Sequence, residues 1–458
     1  MTNIFLKRPV VHILLIIILG LIAYSNTLHF PFHFDDNNVI IRNPIIKNFQ
    51  YFTSPSKAKV LTENFGYNTF RRRYIGYLTF ALNYSLHSLD TTGYHIFNIS
   101  VHIINALFVY LIVVLTFRTP FLRDSRLGSY SSEIAFFTGI FFVCHPVQTQ
   151  AVTYIWQRVT SLATLFFLLS MVSYIQWRLL YIQQHCTTFD SILKKMLHPF
   201  YLICIVSAIC AMKTKEIAFM LPVSVTLYEI IFFNEKIRAR ILYLAPILFT
   251  LLIIPLTLID VDKPLGELIG EVNREVRGGS PLSRWHYLLA QFRVIVTYIR
   301  LIFVPVHQNL DYDYPQFQSL FEGEVFVSFL FLLSLFAVSS ILFFRYRKTV
   351  PPVRIIFYGT LWFFINLIIE SSIIPLDNVI FEHRVYLPSI GVFFLLTTLC
   401  FIIIEKQEKQ WKRIKNIIMP VLFAIIIVLT GATYARNAVW KNEITMWEDI
   451  VSKSPNKG

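Results

Sequence analysis

Charge is scarce in this chain. Asp, Glu, Lys and Arg make up 15% of its 458 residues, against 55% that are hydrophobic. Cysteine is scarce too: the five residues Cys144, Cys186, Cys204, Cys210 and Cys400 show neither metal-ligand spacing nor a paired framework, and read as small packing residues. A phosphate-binding glycine loop, a dinucleotide fingerprint and a His-Glu-x-x-His motif are all missing. Nucleotide-driven transport and nucleotide-sugar chemistry in a soluble domain are therefore disfavoured. Alternating ten-residue segments are also lacking, so an outer-membrane barrel is not expected despite 43 Phe and 23 Tyr.

What is there instead is a succession of helix-length apolar runs and a mean hydropathy of +0.58. That is the profile of an all-α polytopic membrane protein. Candidate spans fall at 10–29, 94–117, 134–147, 157–181, 199–213, 217–233, 241–259, 325–344, 355–374, 386–404 and 417–435, about eleven crossings. The 41 Lys and Arg exceed the 27 Asp and Glu, but they sit in short clusters between apolar runs, which points to membrane topology and headgroup anchoring rather than nucleic acid. With the N-terminus inside, Lys7/Arg8, Arg118/Arg123/Arg126, Lys194/Lys195, Lys236/Arg238/Arg240, Arg345/Arg347/Lys348 and Lys406 to Lys415 all land on the cytoplasmic side. Ala23-Tyr24-Ser25 loosely matches a signal-peptidase site, yet an uncleaved first helix is expected, because the following loop needs its anchor.

That topology constrains "SRWHYLLAQFRVIVTYIRLIFVP", residues 283–305, which would invert every later helix if it crossed. His286, Arg293 and Arg300 are seven apart and share one helical face. The stretch reads as an interfacial or re-entrant helix on the outer side, with a tilted span as the alternative. The extracytoplasmic face then receives two large loops, 30–93 and 260–324, tight turns near 145–156 and 213–216, the loop 375–385 and the C-terminal tail.

The polar residues capable of chemistry gather on that face. "FHFDDNNVIIRNP" sets Asp35 beside Asp36 just outside the first helix. An adjacent pair can serve as a general base or recruit a divalent cation; it is also a common turn and cap composition. Arg71, Arg72 and Arg73 run against the positive-inside bias and suit either a phosphate or anionic headgroups. "CHPVQTQAVTYIWQR" offers His145, Gln150 and Arg158 at a bundle mouth, with a helix break at Pro146 as the structural reading. "MKTKEIAFM" offers Lys213, Lys215 and Glu216, or simply a Lys215–Glu216 pair. "NLDYDYPQF" supplies Asp311 and Asp313, and "PLDNVIFEHRVYLPSIG" supplies Asp377, Glu382, His383 and Arg384.

Taken in order, "FPFHFDDNNVIIRNP", "LTFALNYSLHSLDTTGYHIFNISVHIINALFVYLI", "FFVCHPVQTQAVTYIWQRVTSLATLFFLL", "KTKEIAFMLPVSVTLYE" and "EHRVYLPSIG" resemble one family. It is the transmembrane and tetratricopeptide-repeat containing O-mannosyltransferases and their bacterial relatives, which have a GT-C fold. The resemblance spans about residues 8 to 455. It implies a GT-C transmembrane domain over 1–435 and a tail, 436–458, like the lead-in to such repeats; the repeats themselves are absent from these residues. Two departures stand out: the missing repeats, and Gln150 where relatives often carry Glu.

The resemblance further implies a transferase of the bacterial inner membrane. It would move a sugar, such as mannose, from a polyprenyl-phosphate carrier to an extracytoplasmic protein or glycan hydroxyl, with inversion. An acidic residue of the first outer loop is the expected base, here Asp35 or Asp36. The leaving phosphate needs cations, for which Arg293 and Arg300 are the first candidates and Arg158, Lys215, Arg384 and Arg71 to Arg73 their rivals. His145, Gln150, Glu216, Glu382, His383, Arg72 and Arg73 are expected to line the substrate cavity. A polyprenyl-phosphate or lipid transporter and a non-catalytic scaffold are the rival readings.

Overall fold

A computed structural model describes residues 8–61, 66–182, 189–258, 283–407 and 412–457. Lys7, Cys186, the stretch 259–282 of the second large loop and residues 408–411 of the last basic run lie outside the described residues. The described residues form helices and no strand. A hydrocarbon interior offers the backbone no hydrogen-bond partner, so each apolar run must satisfy its own amides by coiling.

The principal helices are α1 (Pro9–Tyr24), α2 (Tyr67–Arg72), α3 (Tyr74–His87), α4 (Thr91–Thr116), α5 (Ser131–Cys144), α6 (Arg158–Leu180), α7 (Pro199–Met212), α8 (Leu221–Phe232), α9 (Ile237–Phe249), α10 (Arg284–Phe303), α11 (Gly323–Tyr346), α12 (Val353–Leu367), α13 (Ser389–Gln407), α14 (Lys412–Asn437) and α15 (Glu443–Lys453). Each of the eleven expected spans is occupied by a helix. Among the described residues nine helices are long and apolar enough to cross a membrane, one of which is α10, and α7 and α12 are shorter apolar helices. The 12-residue α8 is preceded by a 3₁₀ turn over Glu216–Met220.

The two ends of the bundle differ in chemistry. At one, Arg354 stacks on Phe121 at 3.6 Å and Lys415 sits over Tyr130 at 5.5 Å, beside Arg118, Arg123, Arg126, Arg345 and Arg347. We call this the basic end. The opposite end carries the irregular chain: Asn437 donates to the Ala23 carbonyl (2.9 Å), Ile75 N–H to the Lys213 carbonyl (3.0 Å), and Arg71 to the Thr257 carbonyl (2.7 Å).

Helix α10 lies along that opposite end. Near its start Tyr287 donates to the Glu370 carbonyl (3.0 Å), in its middle Gln291 donates to the Val379 carbonyl (3.1 Å), and near its close Ile302 accepts from His145 Nε2 (2.9 Å). All three partners belong to the same end of the bundle. Both ends of α10 therefore contact one face, although its length and apolarity would allow a crossing.

Two features fix the packing. Buried Glu229 of α8 accepts from Arg178 of α6 (2.9 and 3.0 Å) and from Tyr174 (3.1 Å), so a charge pair in the core has its hydrogen bonds met. Helices α12 and α13 touch backbone to backbone through Gly359 and Gly391. A Cβ on Gly391 would meet the Gly359 carbonyl oxygen at 2.5 Å, and one on Gly359 would meet the Gly391 carbonyl oxygen at 2.6 Å.

Backbone cannot move aside as a side chain can, so Gly391→Ala is expected to cost about 1–3 kcal/mol as overpacking. Thermal unfolding of the detergent-solubilised protein measures it, with Gly431→Ala, which has nothing within 4 Å, as the control. Equal midpoints for the two variants would refute the close approach.

Candidate active site

The turn after α1 is built around the second aspartate. Asp36 is 1% exposed. Its Oδ2 accepts from the His33 N–H (2.9 Å) and its Oδ1 from the Trp156 N–H (2.8 Å), fastening the first loop to the turn before α6. His33 Nε2 in turn lies 2.9 Å from the Trp440 carbonyl oxygen. Burial pushes the Asp36 carboxyl up to about 8, against the pull of those two N–H donors.

Asp35 has the opposite situation. It is exposed, its N–H donates to the Tyr154 hydroxyl (3.0 Å), and its residue lines a cavity of about 210 Å³. Phe34, directly before it, adopts φ 45°, a left-handed backbone that a bulky side chain holds only when its surroundings compel it. Here Asp36, Tyr154 and the edge contact of Phe34 with Trp447 (5.4 Å) supply the compulsion.

Gln150, Tyr154, Gln157, Asp311, Asn378 and His383 complete the polar lining of the cavity. Gln150 Oε1 accepts from the His383 N–H (2.7 Å) and lies 3.2 Å from its Nδ1. Burial, then the charges of Lys215, Arg384 and Arg73, hold the His383 ring well below the usual histidine range. Asp311 reaches the cavity because buried Glu382 clasps its loop, accepting from Gln308 (2.7 Å), the Asn309 N–H (2.8 Å) and the Tyr312 hydroxyl (2.7 Å). Burial raises the Glu382 carboxyl against those donors and Arg436.

Behind the cavity stands a cationic cluster. Lys215 Nζ pairs with Glu370 (2.8 Å) and donates to Thr160 (3.0 Å), which donates to the cavity residue Gln157 (2.9 Å). Arg73 pairs with Glu216 at 3.0 Å and Arg72 approaches it at 3.8 Å. Although burial works the other way, Arg73 and Arg72 pull the Glu216 carboxyl down to about 2. The expected Lys215–Glu216 pair is thus replaced by pairs from other elements. Arg73 also stacks over Trp156 at 5.7 Å, and buried Tyr77 feels Arg73, Arg72 and Asp35 together.

The remaining expected residues stand elsewhere. Arg293 pairs with Glu324, and Arg300 donates to the Val306 carbonyl (2.9 Å); neither lines the cavity. Arg158 is buried, donating to Asn98 (2.7 Å) and to the carbonyls of Tyr94 (3.2 Å) and Thr79 (3.3 Å), which holds α3 against α4. Arg384 donates to the carbonyls of Asn378 (2.7 Å), Val379 (2.9 Å) and Glu370 (3.2 Å), shaping the loop rather than facing a ligand. His145 uses both nitrogens, on the Ile302 carbonyl and the Val147 N–H (3.2 Å). Among the described residues no three His, Cys, Asp or Glu side chains are gathered to hold a metal ion, and both Asp36 oxygens are occupied by backbone N–H groups. The cation considered for Asp35 and Asp36 therefore has no preformed ligand set.

Sequence reasoning missed Tyr154, Gln157, Asn378 and Glu370 as members of the site. Gln157 and Tyr154 lay in a quoted block, but nothing in their spacing marks them, since the cavity draws its lining from segments more than 200 residues apart.

Compared with known proteins, the chain is 24% identical over 464 residues to a protein O-mannosyl-transferase of Caenorhabditis elegans, an alignment covering 97% of this chain and 58% of that protein. It is 31% identical over 175 residues to the protein O-mannosyl-transferase TMTC2 of Homo sapiens (37% of this chain, 18% of that protein) and 30% identical over 158 residues to human TMTC1 (33% and 16%). The chain thus spans little more than half of the worm relative and under a fifth of the human ones. No protein-family model matches it, and no solved structure does. The chain is thus a polytopic helical bundle similar along nearly all its length to the worm protein O-mannosyl-transferase and over about a third of it to the human TMTC proteins.

Proposed function

We propose that this chain is a membrane glycosyltransferase that moves a mannosyl group from a polyprenyl-phosphate carrier to a hydroxyl of a protein, with inversion. The observation that carries the reading is Asp35 at the wall of a cavity lined in part by polar side chains, which the Gln157–Thr160–Lys215 hydrogen-bond chain joins to the cationic cluster. Asp35 takes the proton of the acceptor hydroxyl as its oxygen attacks the anomeric carbon. The bond from that carbon to the phosphate oxygen breaks on the opposite side, and the polyprenyl phosphate leaves with the electron pair. Single displacement inverts the anomeric centre.

Asp36 is the positioning residue: it holds the turn that presents Asp35. The leaving phosphate is met by the cationic cluster around Arg73 and Lys215, to which Arg71, Arg72 and Lys213 belong. The basic end faces the cytoplasm in this reading, so the cavity opens on the other side.

With purified protein, polyprenyl-phosphate-linked mannose and Ser/Thr peptides, mass spectrometry follows transfer. Asp35→Asn is expected to lower the rate about 10²–10⁴-fold with an unchanged melting temperature; wild-type turnover in this variant rejects Asp35 as the base. Arg73→Gln is expected to lower kcat/KM for the lipid donor about tenfold or more, with partial recovery in Arg73→Lys. An unchanged donor dependence would detach the cluster from the phosphate.

The pH dependence of stability separates the two aspartates. The Asp36 carboxyl titrates at about 8 in the folded chain against 3.8 ordinarily, so the folded state keeps a proton that the unfolded state gives up. The contribution of this group to stability is full below the lower value and declines as pH rises toward the upper one. Thermal midpoints across that window should fall more steeply for the wild type than for Asp36→Asn, whose midpoint is lower throughout because one backbone N–H loses its acceptor. Parallel curves would contradict the raised value.

A further inference from the structure

A second cavity, of about 520 Å³, opens at the basic end, where α1, α4 and α5 meet. We propose that it binds the phosphate headgroup of an anionic phospholipid. Its lining includes Arg118 and Arg123 from the turn after α4, Ser131 and Ser132 at the start of α5, and Val114 and Phe117 from the last turn of α4 and the residue beyond it. All three helices belong to candidate membrane spans, so their ends lie at the depth of lipid headgroups, where basic pockets between membrane helices take anionic lipids.

The composition is that of an amphipathic ligand. Two arginines offer forked donors that match phosphate oxygens, while Val114 and Phe117 provide an apolar wall for the glycerol and upper acyl chain. Arg118 is exposed and has no carboxylate partner among the described residues. Arg123 meets Asp124 at 3.2 Å, but with the two side chains 53% and 84% exposed that pair is weak and yields to a phosphate. The wall opposite is preformed, because Ser132 Oγ and the Tyr110 hydroxyl both lie 3.4 Å from Nδ1 of fully buried His12. The positive end of the α5 dipole adds to the attraction. None of these residues takes part in the transfer proposed above.

Native mass spectrometry of the whole detergent-purified chain tests the site, with phosphatidylglycerol, phosphatidylcholine and inorganic phosphate added separately. Phosphatidylglycerol adducts are expected at least tenfold tighter than phosphatidylcholine adducts. Arg118→Ala/Arg123→Ala should weaken them at least tenfold, and Arg123→Gln alone should do so by a smaller factor. Arg345→Ala, an exposed arginine of another cluster at the same end, should leave them unchanged. Undiminished adducts in the double variant, or an equal loss in Arg345→Ala, would overturn the site in favour of diffuse surface charge. Competition by inorganic phosphate at equal concentration would overturn the lipid assignment in favour of the free ion.

Discussion

An amide or carbonyl without a partner costs several kcal/mol in hydrocarbon, and every other feature of this chain follows from avoiding that cost. Helices satisfy the backbone within the membrane and expel irregular chain to the two ends. One end receives short, basic connections; the other receives the long loops, whose backbone finds partners in side chains such as Asp36, Arg384 and Glu382. A chain with few charges thereby concentrates them where peptide groups need them. The candidate site is the product of that concentration.

How much of this the sequence disclosed follows from the range of the physics involved. Apolar length is a local property, so the all-α polytopic character and a helix at each expected span were legible. The Asp35–Asp36 pair was legible as a pair. The different surroundings of its two members were not, because they depend on a donor, the Trp156 N–H, 120 residues away in the chain. Arg293 and Arg300 misled for the same reason: helical spacing shows that they share a face, but only the fold shows that Glu324 and the Val306 carbonyl have taken them. Arg158 and Arg384, read as ligands for a phosphate, turned out to serve carbonyl oxygens.

The two charged assemblies of the bundle contrast in kind. Around Glu229 and Arg178 the charges and hydrogen bonds answer one another in a sealed core. Around Arg73 and Lys215 the ion pairs with Glu216 and Glu370 stand next to a cavity. Ionisable groups gathered beside a cavity are candidates for contact with a ligand in a way that a sealed pair is not.

The clasp between His33 and the Trp440 carbonyl joins residues 407 apart in the chain. Trp447 rests on Phe34, Ser454 accepts from Asn309, and Lys453 donates to the Gln308 carbonyl (2.6 Å). During synthesis the segment bearing Asp35 leaves the ribosome early, yet its strained turn gains its last supports only after α14 has inserted and α15 has followed. A nascent chain still threading through the insertion machinery therefore carries the aspartates without the contacts that shape their turn. That turn is in this sense complete only when the last helices have joined the bundle.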